Sequence, residues 1–330
     1  MLTAAFGIQC VGLGGGLIVV GAIAALLPDI PASEWDQPNH FLPIWLSLTA
    51  FGAVLARLAL ERRRARGVVL AFAVFALVAG GLPVGREYLA RVAQGADQLQ
   101  PGDLKVLQFN IFEGNPWPPY ARARIAEAAA DVAALQEPHP EVLAAPELLA
   151  LYPHRTPCVG RVCLSAIWSK RPITAWRYER LKIPNTQPQI SLDILWADTT
   201  GPDGKPVRVV TTHYGWPWPP KFQRPQRAAL ADYLEDFDKR SLILAGDFNA
   251  APWSVGMRRQ DRRLAPLIRR TRVLYTWPAY VPRIFKPTGF GVLPIDHVYA
   301  GPAWRTVRVE RLQRGASDHY PVLVTLRRDP

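Results

Sequence analysis

Residues 241–250 read Ser-Leu-Ile-Leu-Ala-Gly-Asp-Phe-Asn-Ala, an apolar run that stops at Gly246-Asp247-Phe248-Asn249. The run Leu242–Ala245 has the length and composition of a buried strand. Asp and Asn at its exit suit a turn, where they hydrogen-bond their own backbone, or a site for a charged ligand. The same construction recurs at Gln108-Phe109-Asn110, Gln136-Glu137, Thr212-His213, Ile295-Asp296-His297 and Ser317-Asp318-His319. Working outward, strands are predicted at Leu104–Phe112, Asp131–Leu135, Cys163–Trp168, Ile190–Ala197, Val207–His213, Leu242–Ala245, Ile295–Tyr299, Thr306–Leu312 and Pro321–Leu326. Helices are predicted at Tyr120–Ala130, Glu141–Leu149, Gln226–Phe237 and around Arg262–Ile268. Some strands are continuously apolar and others alternate, which indicates two sheets packed face to face with helices outside.

In this order and at these spacings the polar strand exits resemble the endonuclease/exonuclease/phosphatase superfamily. That superfamily includes pancreatic deoxyribonuclease, apurinic endonucleases, bacterial sphingomyelinases and inositol-phosphate phosphatases. The resemblance covers Leu104–Leu326, is strongest at Gly-Asp-Phe-Asn and Ser-Asp-His, and extends to Leu164–Ile173. It implies an α/β (α+β) four-layer sandwich of two packed mixed β-sheets flanked by helices. It also implies a metal-dependent hydrolase of phosphate esters. Such a reaction needs the phosphate's charge neutralised, a water aimed in line and a stabilised leaving oxygen.

Residue by residue, the resemblance makes Glu137 the principal metal ligand, with Asn110 and Asp318 completing the site directly or through water. Carboxylate and amide oxygens suit Mg²⁺, with Mn²⁺ as a substitute. Asp247 matches the residue that orients or deprotonates the attacking water, and Asn249 the neighbour that holds it or contacts phosphate. His213 matches a histidine near the leaving group, His319 one that contacts the scissile phosphate, and Asp296 the carboxylate that orients His319. A carboxylate partner raises an imidazole's pKa and fixes its tautomer, as stabilising phosphoryl charge requires. His297 is assigned a structural role. Some apurinic endonucleases carry an acidic residue where Phe112 stands, so one metal ion is expected here rather than two.

Upstream the sequence changes character. Ala4–Leu27, Phe41–Leu60 and Gly67–Gly85 are apolar stretches close to the ~20 residues a helix needs to cross a bilayer. A cleaved signal peptide would begin with basic residues, and none precedes Arg57. Gly12, Gly14, Gly15 and Gly16 suit close helix packing within a membrane. The expected organisation is a three-helix transmembrane anchor over residues 1–85, a linker over 86–102 and the catalytic domain over 103–330. At ~3.3–3.6 Å per residue the linker keeps that domain within about 60 Å of the membrane.

Arg62, Arg63, Arg64 and Arg66 fill the link between the second and third stretches. The link before it carries Asp29, Glu34 and Asp36 and no basic residue. By the positive-inside rule the arginine link faces the cytoplasm. The expectation is a multi-pass protein of the inner (plasma) membrane with its globular domain periplasmic or extracytoplasmic. Cys158 and Cys163 would be free to oxidise there, though five-residue spacing alone does not establish a disulfide. Two thiols without nearby paired histidines do not suggest zinc.

The chain has 39 basic and 27 acidic residues; five and four of them precede Arg86, which leaves the remainder at +11. That excess favours polyanions: nucleic acid, anionic lipid headgroups or phosphorylated small molecules. Trp216, Trp218 and Phe222 either hold an acyl, base or sugar group or pack their proline-rich loop. Arg258, Arg259, Arg262, Arg263, Arg269, Arg270 and Arg272 either follow a polyanion or form a solvated face. The leading expectation is a membrane-anchored Mg²⁺-dependent phosphodiesterase or phosphatase, with a lipid headgroup among its candidate substrates. The alternatives are an endonuclease or exonuclease acting on DNA or RNA, and a non-catalytic membrane-tethered phosphate-binding module. No protein partner is implied.

Overall fold

The computed structural model describes residues 2–26, 36–159, 163–218, 222–281, 286–287 and 289–329. Asp29 and Glu34 of the acidic link, and residues 219–221 of the proline-rich loop, lie outside them. The chain forms two units: residues 1–90 with 218–221 and 251–259, and the remainder.

The first unit contains α1 (Leu2–Leu26), the single turn α2 (Gln37–His40), α3 (Leu42–Ala59) and most of α4 (Arg63–Gln94). Helices α1, α3 and α4 are long and apolar enough to cross a membrane. Glycines let α1 and α3 touch: a Cβ on Gly14 would meet Thr49 Oγ1 at 2.6 Å, and one on Gly52 would meet Cys10 Cβ at 2.7 Å. Gly12 and Gly16 face open space, so only part of the glycine cluster serves packing. Helix α4 runs on to Gln94, so the first half of the expected linker is helical. Within the same unit Asp36 accepts the Val255 and Gly256 backbone N–H groups at 2.7 Å each.

The second unit is a sandwich of two six-stranded sheets. The first sheet comprises β1 (Leu104–Asn110), β2 (Val132–Gln136), β3 (His154–Arg155), β4 (Ser165–Ser169), β13 (Trp304–Arg311) and β14 (Val322–Arg328), in the order β13-β14-β1-β2-β4-β3. The second comprises β5 (Ala175–Ile183), β6 (Ile190–Thr200), β7 (Pro206–His213), β8 (Ile243–Asp247), β9 (Ile268–Arg269) and β12 (Asp296–Ala300), in the order β5-β6-β7-β8-β12-β9. A small ribbon pairs β10 (Tyr280–Val281) with β11 (Lys286–Pro287). Each large sheet has one parallel pair, β1 with β2 and β7 with β8. Parallel neighbours need a crossover, supplied by α5 (Pro118–Ala128) and α8 (Gln223–Tyr233).

Alternation along the strands sorts side chains between layers. Leu104 and Val106 of β1, Val132 and Ala134 of β2, Val209 of β7, and Ile243 and Ala245 of β8 meet in the core between the sheets. Leu107 and Phe109 point the other way, onto Ala121 and Ile125 of α5. Each such Val, Ile or Leu contributes roughly 1.5–3 kcal/mol by leaving water.

Several expected elements differ. The segment expected as one helix over Glu141–Leu149 is two short ones, α6 (Pro140–Leu143) and α7 (Pro146–Leu151). Pro146 disfavours helical geometry at Ala145, which is extended at ψ 115°. The helix expected around Arg262–Ile268 is α9 (Val255–Arg263), and Ile268 instead belongs to β9. Strand β5, Ala-Trp-Arg-Tyr-Glu-Arg-Leu-Lys-Ile, was not anticipated: as an edge strand it is largely exposed and too charged to read as core. Nor do the arginines of 258–272 share one solvated face. Arg269 is buried against Asp261, and Arg270 is buried and donates to the Trp304 carbonyl. Cys158 and Cys163 are joined by a disulfide, their Cα atoms 4.9 Å apart.

Candidate active site

The inward-facing rows of four central strands change from apolar to polar at the same end of the sandwich. In β1, Leu104 and Val106 are followed by Gln108 and Asn110; in β2, Val132 and Ala134 by Gln136. In β7, Val207 and Val209 are followed by Thr211 and His213; in β8, Ile243 and Ala245 by Asp247. Asp247 is therefore the last residue of a strand, paired with Asp296 of β12, rather than part of a turn. Gly246 permits this packing, because a Cβ there would lie 2.1 Å from the Thr212 carbonyl oxygen. Just past β2 and β8, Glu137 (φ 46°) and Asn249 (φ 46°) turn into the left-handed region, which costs non-glycine residues about 1–3 kcal/mol.

These ends enclose a cavity of about 350 Å³. Every expected site residue lines it except Asp296, which lies behind His319. Asn110 Nδ2 donates to Glu137 Oε1 and Asp247 Oδ2, both at 3.1 Å. Asn249 holds Asp247 through its backbone N–H to Oδ1 (2.8 Å) and its amide to Oδ2 (3.3 Å). The same amide donates to the Tyr214 carbonyl (2.8 Å) and lies 3.2 Å from His213 Nε2. His213 spans two carboxylates, with Nε2 3.3 Å from Asp247 and Nδ1 3.6 Å from Glu137. His319 likewise has Nδ1 2.8 Å from Asp296 Oδ2 and Nε2 3.5 Å from Asp247 Oδ2.

Electrostatics follow from these neighbours. Burial alone would lower the His319 pKa, but Asp296 and Asp247 outweigh it and hold the imidazole up at about 10. Burial would raise Asp247, but His319 and His213 pull it down to about 2. His213 is raised, because the hydrogen bond and charge of Asp247, with Glu137 behind them, exceed its desolvation. Asp318 is raised by burial, with the like charges of Glu137 and Asp247 adding to it, despite His319 and the Trp277 N–H.

Asp247, Asp296 and His319 bring potential ligand atoms within 4.8 Å of one another, which by distance alone resembles a metal cluster. In the structure both ring nitrogens of His319 already face carboxylates, Nδ1 at 2.8 Å from Asp296 and Nε2 at 3.5 Å from Asp247, and a cation in this cluster would have to displace those contacts. The donors that fit a hard cation are the oxygens of Glu137, Asp318 and Asn110 on the cavity wall. Burial, with the like charges of Glu137 and Asp247 adding to it, already raises Asp318, and a cation would favour its ionised form. Asn110 Oδ1 accepts the Phe112 N–H at 3.0 Å, and its second lone pair remains.

Other residues support this set. Gln136 donates to Thr211 Oγ1 (2.7 Å), and Gln108 Nε2 donates to both Gln136 Oε1 and Asp296 Oδ1 at 2.8 Å. Ser317 Oγ donates to the Asn110 carbonyl at 2.7 Å and accepts the His319 N–H at 3.0 Å. Gln108, Gln136 and Ser317 stand in the polar strand exits, so their proximity had a sequence signal. Trp277 had none: its Nε1–H donates to Asp318 Oδ2 at 3.2 Å across 41 residues. The ring of Trp216 stands edge-on to Trp277, 5.4 Å between centroids, and forms part of the cavity wall. His297 is buried with Nδ1 3.1 Å from Thr271 Oγ1 and Nε2 3.0 Å from the Ala250 carbonyl, in keeping with a structural role.

The model of the Endonuclease/Exonuclease/phosphatase family matches residues 107–319. Among solved structures, an endonuclease/exonuclease/phosphatase from Beutenbergia cavernae is 24% identical, with a TM-score of 0.50 over 68% of this chain and 72% of that one. The human Nocturnin catalytic domain with bound sulfate is 17% identical, with a TM-score of 0.53 over 70% of this chain and 96% of that one. D. rerio TDP2 in complex with a single-strand DNA product is also 17% identical, with a TM-score of 0.53 over 68% and 99%. No curated protein sequence matches significantly.

Proposed function

Because the chain belongs to the Endonuclease/Exonuclease/phosphatase family and is on that ground a hydrolase of phosphoric esters, we propose that it is a Mg²⁺-dependent phosphoesterase anchored in a membrane. The observation that carries this reading is the convergence of Glu137, His213, Asp247, Asp318 and His319 around one cavity from strands and loops far apart in sequence. Glu137, Asp318 and Asn110 would hold one Mg²⁺, or Mn²⁺ in its place, whose charge offsets that of the phosphate and the leaving oxygen.

The protein's own groups divide the remaining work. His319, cationic and braced by Asp296, donates from Nε2 to a phosphoryl oxygen and stabilises charge that builds up there. Asp247 stays ionised throughout the neutral range, so it orients the attacking water by accepting its hydrogen bond. A carboxylate with a pKa of about 2 is a weak proton sink. Asn249 and Asn110 fix the direction of that carboxylate. His213, with its pKa raised, keeps a proton to give to the leaving oxygen. Substituting Glu137, Asp247 or His319 by Ala should abolish Mg²⁺-dependent hydrolysis of bis(p-nitrophenyl) phosphate, as should EDTA. Full activity in all three variants would remove the reading.

The three apolar helices support anchoring, and the exposed Arg62, with Arg63 and Arg64 at the start of α4, supports a cytoplasmic link there. The domain then faces outward, where the Cys158–Cys163 disulfide is chemically at home. A periplasm-specific reporter fused after Pro330 should be active, and cytoplasm-specific activity would reverse the orientation. Tethering brings a lipid headgroup within reach in two dimensions. The +11 excess beyond Gly85 suits nucleic acid as well as anionic lipid, which keeps nucleic acid as a second reading. Plasmid DNA, RNA and phospholipid vesicles assayed in parallel separate the two.

A further inference from the structure

Gln108 is fully buried in the inward-facing row of β1, after Leu104 and Val106. In the sheet it stands opposite Ala134 of β2 and Val322 of β14. A leucine or methionine would fill such a place without desolvating an amide, and a buried amide is tolerated only when it is hydrogen-bonded. What Gln108 adds there is hydrogen bonding, not packing.

Its bonds belong to a relay with one direction. Gln136 Nε2 donates to the Ala134 carbonyl (3.2 Å) and to Thr211 Oγ1 (2.7 Å), so both of its N–H groups are used. Its Oε1 accepts from Gln108 Nε2, whose second N–H goes to Asp296 Oδ1, both at 2.8 Å. Turning the Gln108 amide over would set its oxygen against two acceptor oxygens, so the sense of the relay is fixed. Gln136, Thr211 and Asp296 are as deeply buried as Gln108, and the relay crosses from β1 and β2 of the first sheet to β7 and β12 of the second. Gln108 Oε1 is left with no hydrogen-bond partner among the described residues. The amide thus gives up its acceptor to serve Asp296 as a donor.

Asp296 carries this order to the catalytic cavity. Among the described residues each of its oxygens has one side-chain partner, Gln108 Nε2 on Oδ1 and His319 Nδ1 on Oδ2, at 2.8 Å each. Bonds on both oxygens fix the plane of a carboxylate, whereas a bond on one lets it turn about Cβ–Cγ. His319 depends on that plane. Ser317 Oγ holds its backbone N–H at 3.0 Å, but the ring is aimed by Asp296 at one nitrogen, which leaves Nε2 facing Asp247 at 3.5 Å in the cavity.

We propose that Gln108 is a positioning residue for hydrolysis: acting through Asp296, it aims the His319 imidazole at the phosphoryl oxygen. Gln108 does not line the cavity, so it acts on turnover and not on substrate binding. The assignment rests on the phosphoesterase reading and adds to it what holds the His319 ring on target.

The test compares the parent with Gln108→Met and Thr211→Val, using the full chain in detergent with Mg²⁺ and bis(p-nitrophenyl) phosphate. Methionine keeps the length of glutamine and donates nothing; valine keeps the shape of threonine and removes the hydroxyl at the far end of the relay. Gln108→Met is expected to lower kcat on the order of tenfold, the scale of one hydrogen bond to a charged acceptor, with KM and calorimetric Mn²⁺ affinity within about twofold of the parent. In an Asp296→Asn background the same substitution should change kcat by less than about twofold, because the residue through which it acts has already lost its role. Thr211→Val keeps the test open if Gln108→Met fails to fold, and is expected to lower kcat about threefold with KM unchanged. An unchanged kcat in Gln108→Met, or in Thr211→Val where the first variant does not fold, overturns the assignment and leaves the phosphoesterase reading standing. So does a loss of equal size with and without Asp296→Asn, which marks general damage to the core, and so does a loss of Mn²⁺ affinity, which runs through Asn110 on the same strand. A parent chain that hydrolyses neither bis(p-nitrophenyl) phosphate nor p-nitrophenyl phosphate overturns both.

Discussion

Replacing Trp277 by Phe removes one hydrogen-bond donor and little else, which isolates what holds Asp318. The indole N–H lies 3.2 Å from Asp318 Oδ2, and the ring face also supports Trp216. Phenylalanine keeps an aromatic surface for Trp216 but cannot donate. A hydrogen bond to a charged acceptor contributes about 1.5–3 kcal/mol, and loss of a partner that orients a metal ligand typically costs roughly 10–100-fold in metal affinity. Part of that gross effect is returned, because water can reach the partly exposed carboxylate and replace the donor. The expected loss therefore sits near the lower end, on the order of tenfold. Calorimetric titration of the full chain with Mn²⁺ reads this directly, and the concentration of Mg²⁺ giving half-maximal hydrolysis should shift by the same factor. Mn²⁺ affinity within about twofold of the parent, in a variant with an unchanged melting temperature, would refute the idea that Trp277 presents Asp318 to a cation.

Burial opposes protonation of His319, and Asp296→Asn removes the largest of the charges set against it, leaving Asp247 and Asp318, so the imidazole pKa falls. Steady-state assays should show kcat lower by roughly 10²–10⁴-fold with KM little changed, and an unchanged kcat would contradict the role given to His319. Asp261 pairs with fully buried Arg269, which holds its carboxyl below the usual value although burial opposes this. A depressed carboxyl stabilises the fold above the unfolded pKa of about 3.9 and loses that contribution as pH falls through the folded value. Asp261→Asn should therefore cost about 3 kcal/mol at pH 7, and the gap to the parent in melting experiments should narrow below about pH 4. A gap that stays constant down to pH 3 would exclude the pairing as its source. Gly246→Ala would press a methyl against the Thr212 carbonyl and force β7 and β8 apart. Denaturant unfolding should report a loss of about 3 kcal/mol, and a neutral result would show that the strands can separate freely.

Much of the fold was legible because burial imposes a period on strands. The apolar rows of β1, β7 and β8 were readable from composition, as was the switch to polar residues at their ends. Elements with little burial were not. β5 hides its strand character behind charge, and the two-residue strands β3 and β9 are too short to show any period. The arginines of 258–272 misled for a related reason. A guanidinium looks solvated in sequence, and only a partner elsewhere, such as Asp261 for Arg269 or the Trp304 carbonyl for Arg270, makes its burial tolerable.

What the amino-acid sequence determined alone was local: which residues form apolar helices and strands, and which compact polar groups stand where those strands end. Tertiary structure decided which ends meet. Asn110, Glu137, His213, Asp247 and His319 share a cavity because two sheets align the same ends of their parallel pairs, a consequence of strand order that no neighbouring residue encodes. The bracing of Asp318 by Trp277 and the joining of Phe112 to Tyr280 are likewise contacts across the fold. Their cause is packing between distant segments, and the electrostatics of each carboxylate and imidazole exist only once that packing has excluded water.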